Sequence, residues 1–163
     1  MRKLAFDLGE IRVGVAISDP TATLARPFGV LPRKALDGSA ERVSDMIREQ
    51  GVDEVVVGLP RTMRGEEGHM AVAARVIAEH LHEVLHIPVS VFDERLTSVA
   101  ARRAMAGCGR VRHGDGGGVD QVAAAIILQN FLDRRHQYGA GRSRGPIEPP
   151  KRRGPSEHRR GER

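Results

Sequence analysis

The stretch EVVVGL at residues 54–59 constrains the fold more than any other part of the chain. It is a continuous apolar run, the pattern of a strand covered on both faces rather than one face. Such a strand needs partners at its sides and helices above and below. The flanking sequence offers both. Upstream, KLAFDL (3–8) and RVGVAISD (12–19) are β-rich runs joined by GEI, which suits a tight hairpin with Gly9 at its turn. FGVLP (28–32) reads as a third strand ended by Pro32. SAERVSDMIREQ (39–50) sets Val43, Met46 and Ile47 at helical spacing, with Ser39 as N-cap and Gly51 just past the end. Downstream, the Gly-rich PRTMRGEEGH leads into a long helix from about Met70 to His86, whose apolar stripe includes Ala73, Ile77, Leu81 and Val84.

IPVSVF is the next strand, and TSVAARRAMA (97–106) reads as a helix capped by Thr97 or Ser98 and stopped by Gly107. GCGRVRHGDGGG (107–118) reads as a mobile loop, and VDQVAAAIILQNFLD (119–133) as a strongly apolar helix. No internal repeat is visible. Strand hairpins followed by helix–strand–helix–strand and two helices predict an α/β mixed sheet with helices on its faces.

The charge is unevenly placed. Lys and Arg total 26 against 21 Asp and Glu, yet residues 134–163 hold ten basic residues and three acids. The body is therefore nearly neutral and the basic character belongs to the tail. From Gly139 onward the chain mixes five Gly, four Pro and many Arg, too little apolar surface to offset ordering entropy. The expected organisation is one domain over residues 1–138 and a basic, disordered tail over 139–163. Cys108 is the single cysteine, which fits a reducing compartment. No apolar stretch approaches the about 18 residues of a membrane span, and the N-terminus lacks a signal-type core, so a soluble cytoplasmic protein is expected. With no Trp, one Tyr and four Phe, base stacking is a poor basis for nucleic-acid binding. Phosphates, metals and cationic side chains would have to serve instead.

Three acids stand where strands and helices meet. Asp7 lies among Ala5, Phe6 and Leu8, and a carboxylate in a central strand is costly unless paired, hydrogen-bonded or bound to metal. Asp93 and Glu94 end a later strand. Asp120 opens the last helix on the stripe of Ala123, Ala124, Ile127 and Phe131, where the small alanines would let the helix lie close to the sheet. Three carboxylates from separate elements can thus converge at one sheet edge. Oxygen ligands without His or Cys select Mg²⁺ or Mn²⁺, and two such ions can activate water against a phosphodiester. Simpler roles fit each acid as well: Asp120 as a helix N-cap, Asp7 paired with Arg12 or Arg95, Asp93 and Glu94 as a solvated strand end.

Four stretches in order, LAFDLGEIRVGVAISDP, VVVGLPRTMRGEEG, FDERLTS and VDQVAAAIILQNFLD, resemble the YqgF/RuvX family over about residues 2–133. Its members are described as Holliday junction resolvase-like nucleases and as nucleases that mature the 5′ end of pre-16S ribosomal RNA. The resemblance implies a ribonuclease H-like fold, a five-stranded mixed sheet with helices on both faces. It implies Asp7, Glu94 and Asp120 as catalytic metal ligands, with Asp93 orienting Arg95 or capping the next helix. It implies Arg12 and Arg95 as arginines that hold phosphate or the carboxylates, since a guanidinium fork fits either. Two departures stand out: Glu10-Ile11-Arg12 replaces a common Thr-Lys-Arg turn, and Gly116, Gly117 and Gly118 stand where many members carry lysine.

Other signals are weaker. HEVLH (82–86) matches a zinc-protease pattern, but its histidines share the solvated face with Arg75 and Glu79 and no third ligand follows. The first motif also resembles the phosphate loop of actin-like ATPases, which need a second domain that this length does not hold. Cys108 has no organised base nearby. The Arg-rich tail suits a nucleic-acid anchor or a solubilising extension. The expectation is a Mg²⁺- or Mn²⁺-dependent nuclease, monomeric or homodimeric, acting on structured RNA, with branched DNA or non-catalytic RNA binding as alternatives.

Overall fold

The computed structural model describes residues 1–60, 68–93 and 118–138. Strands β1 (Arg2–Leu8), β2 (Arg12–Ser18) and β3 (Ala25–Pro32) form an antiparallel meander. A 3₁₀ turn (Arg33–Leu36) and helix α1 (Glu41–Gln50) lead to β4 (Val52–Leu59). Helix α2 (His69–Leu85) and strand β5 (Val89–Asp93) follow, and helix α3 (Gly118–Tyr138) ends the described chain. The helix expected at 97–106, the loop expected at 107–118 up to residue 117, and the tail at 139–163 lie outside the described residues, while Gly118, expected in that loop, opens α3.

The sheet order is β3-β2-β1-β4-β5, with β4 parallel to both β1 and β5. This is the five-stranded mixed sheet of the expected ribonuclease H-like fold. β1 and β4 are the inner strands, and the stretches buried on both faces, Leu4–Phe6 and Val55–Leu59, are apolar. On one face Leu4, Phe6, Val13, Val15, Val55 and Val57 pack against α1 and α2 through Val43, Ala74 and Leu81. On the other, Ala5, Ala16, Val56 and Phe92 pack against Ala124, Leu128 and Phe131 of α3. Helices therefore cover both sides.

Several element ends differ from the sequence expectations. β3 begins at Ala25, not Phe28, because Gln129 of α3 accepts the Ala25 N–H at 2.8 Å and fixes the strand's start. Ser39 is not the cap of α1; Ala40 takes that position in a left-handed conformation with no side-chain cap. The close approach to the sheet comes from Ala124 and Ala125, both fully buried, while Ala123 is partly exposed. α3 also runs five residues beyond Asp133, ending at Tyr138.

The far end of α3 is pinned ionically. Glu54 is buried and takes Lys3 Nζ at 3.0 Å, the Ser90 hydroxyl at 2.9 Å and the Arg135 guanidinium. Arg135 also lies 5.5 Å from the Phe131 ring centroid, and Phe131 meets Phe92 edge-on at 6.0 Å. This cluster fixes how α3 crosses the sheet, and so where its first turn falls.

Candidate active site

Because β1 alternates, Asp7 shares the α3 face with Ala5, while Leu4, Phe6 and Leu8 fill the opposite core. Asp7 pairs in register with Gly14 of β2. Gly14 is where α3 touches down. A Cβ built on Gly14 would lie 2.0 Å from the main-chain oxygen of Asp120 and 2.3 Å from its carbonyl carbon. Only glycine allows that approach. The first turn of α3 is thereby seated over the pair Asp7–Gly14, and the two carboxylates come from opposite ends of the described chain.

Electrostatics follow from this seating. Burial pushes the Asp7 carboxyl up to about 6, and the nearby Asp120 charge pushes it the same way. Asp120 has its own counter-ion: Arg12 Nε stands 3.4 Å from its Oδ2, both side chains being partly exposed. Arg12 and Gly14 share one face of β2, two positions apart, so both meet Asp120. The simpler expectation of an Asp7–Arg12 pair is not met, and Asp120 lies in the first helical turn rather than at an N-cap.

The turn leaving β1 is braced as well. The Gly9 N–H donates to the Arg12 carbonyl at 2.9 Å. Arg33 donates from its main chain to Ile11 at 2.8 Å and from Nη1 to the Gly9 carbonyl at 2.7 Å. Gly14 and Arg33 were not singled out from the sequence. A glycine inside an apolar strand signals close backbone approach, so Gly14 was findable; Arg33 carries no local signal.

β5 ends level with β4, Asp93 pairing with Leu59. Val89 and Val91 belong to the α2-side core and Phe92 to the α3-side core, so Asp93 falls on the face opposite Asp7. Glu94 and Arg95 lie outside the described residues. Among the described residues no group of three or more His, Cys, Asp or Glu could hold a metal. Asp7 and Asp120 nonetheless fit a hard cation: both offer carboxylate oxygens, and they lie close enough for one charge to raise the other's pKa. The histidines of HEVLH are exposed, and the His82 ring instead lies 3.2 Å from the Ile87 carbonyl. Among the described residues no helix is long and apolar enough to cross a membrane.

The family model described as "RuvX: Holliday junction resolvase" matches residues 1–134. The chain belongs to this family. A relative from Chloroflexus aggregans, named "Putative pre-16S rRNA nuclease", is 46% identical over 132 residues, covering 81% of this chain and 93% of its own. One of the same name from Moorella thermoacetica is 42% identical over 139 residues, covering 85% and 99%. Among solved structures, RuvC of Thermus thermophilus in complex with Holliday junction substrate aligns with 83% of this chain and 96% of its own, at 17% identity and TM-score 0.48. The family match spans every residue of the expected site, from Asp7 and Arg12 through Glu94 and Arg95 to Asp120.

Proposed function

We propose that this protein is a divalent-metal-dependent nuclease that hydrolyses phosphodiester bonds in structured RNA, acting in 5′-end maturation of pre-16S ribosomal RNA. The seating of Asp120 over Asp7 through Gly14 carries the reading, because it brings two carboxylates together at the end of an inner strand with the exposed Arg12 beside them, a donor set that suits a hard cation. The names of the relatives support the RNA substrate. Glu94 is the third carboxylate in this proposal. It follows directly on Asp93, the last residue of β5, in the stretch FDERLTS that resembles the family.

In this mechanism Asp7, Glu94 and Asp120 would hold Mg²⁺ or Mn²⁺, which would supply water activation and stabilisation of the leaving oxygen. Asp7 must lose its proton to serve, so its raised pKa makes the site weak in acid. Arg12, and Arg95 beside Glu94, offer guanidinium forks to the phosphate. Residues 1–138 form the nuclease domain, and residues 139–163 a basic anchor for the nucleic acid.

Holliday junction resolution is the second reading, favoured by the family's description. It needs two sites and hence a homodimer. The deciding assay incubates the protein with Mn²⁺ and either precursor 16S RNA or a four-way DNA junction, wild type beside Asp120→Asn. Cleavage of RNA by wild type alone supports the first reading; cleavage of the junction alone supports the second. A protein that cuts neither, yet binds RNA equally well as Asp120→Asn, is a binding factor and not a nuclease.

A further inference from the structure

Arg12 and Gly14 hold the same residue by different atoms. Gly14 fixes the Asp120 backbone by direct contact, whereas Arg12 touches only its carboxylate. The first contact is rigid and sterically enforced. The second is a single long approach at 3.4 Å through Nε, between an Arg12 side chain that is half-exposed and an Asp120 side chain that is one-third exposed. A pair of that length and exposure contributes little to stability. The position of Asp120 therefore does not depend on Arg12, and the pairing is free to break.

A guanidinium and a divalent cation compete for one carboxylate, since each carries the charge that the carboxylate neutralises. We infer that Arg12 is an exchangeable counter-ion: it neutralises Asp120 while the site is metal-free, and yields the carboxylate to the entering cation. The released guanidinium then stands at the rim of the site, where the substrate's phosphate arrives. Metal loading and substrate grip are thereby coupled through one side chain. This rests on the nuclease reading, and it assigns Arg12 to two successive partners rather than one.

A structural pin makes the opposite prediction. If Arg12 merely held Asp120 in place, its loss would loosen the site and weaken metal binding. Mn²⁺ titration calorimetry of the full chain without nucleic acid separates the two. Arg12→Gln is expected to bind Mn²⁺ about two- to fivefold more tightly than wild type, and Arg12→Lys, which keeps the charge, to stay near wild type. At saturating Mn²⁺, Arg12→Gln should raise KM for a 5′-extended rRNA hairpin about tenfold. Equal or weaker Mn²⁺ binding by Arg12→Gln would overturn the exchange while leaving the nuclease reading intact. A wild-type protein that binds no Mn²⁺ would remove both.

Discussion

Gly14 and Asp120 are in backbone contact: the space that a methyl group would need at Gly14 is already filled by the Asp120 carbonyl. The acid reaches the site because a strand residue lacks a side chain. Gly14→Ala should therefore displace the first turn of α3. The expected result is a folded protein destabilised by about 1–3 kcal/mol, with cleavage lowered about 100-fold by misplacement of Asp120. Gly29→Ala is the control, since nothing lies within 4 Å of its added Cβ. It should change stability by less than about 1 kcal/mol. Urea unfolding and single-turnover cleavage check both.

Asp7 links stability to pH with a definite sign. Its folded pKa is raised to about 6, so the metal-free folded state holds this proton where the unfolded chain has released it. The group's contribution is favourable at low pH and is lost as pH rises through about 6. In EDTA, Asp7→Asn should stabilise the protein at pH 7.5 by at most about 3 kcal/mol, with most of that gain gone at pH 4. The same variant should be inactive. Denaturation at the two pH values tests the sign.

Glu54 is buried between Lys3, which also pairs with Asp53 at 3.1 Å, and Arg135, so removing it takes away the acid that Arg135 meets and one of the two that hold Lys3. Glu54→Ala should cost about 3 kcal/mol, more than Glu54→Gln, which retains an acceptor for Ser90. The loss should appear as a lower Tm even in saturating Mn²⁺.

Deleting residues 139–163 removes a segment rich in Arg. If it anchors nucleic acid, the slope of log affinity against log salt should flatten by about 0.7 for each phosphate that the tail no longer neutralises, while kcat on a short substrate stays unchanged. Filter binding from low to moderate salt measures the slope. An unaltered slope would make the tail a solubilising extension.

The strands that lie between others were legible because burial on both faces writes itself as an apolar run, as in LAF of β1 and EVVVGL of β4. Edge and end features were not. The first residues of β3 include exposed Arg26 and Pro27, which carry no apolar signature, and their start is set by Gln129 far along the chain. Ala40 adopts a left-handed conformation that its residue type disfavours. It follows the 3₁₀ turn whose Leu36 is fully buried, so tertiary packing and not a capping side chain decides how α1 begins. At the site, Asp7 was conspicuous as a lone acid among apolar neighbours. Arg12's choice of Asp120 over Asp7 was not legible, because it depends on how closely α3 settles on Gly14.

Asp7 stands on the first strand and Asp120 on the last described helix, with most of the domain synthesised between them. A chain emerging from a ribosome exposes Asp7 early, but Asp120 cannot join it until α3 has been made and has docked. The proposed nuclease site would thus be assembled late, from a first strand that waits for the last described helix.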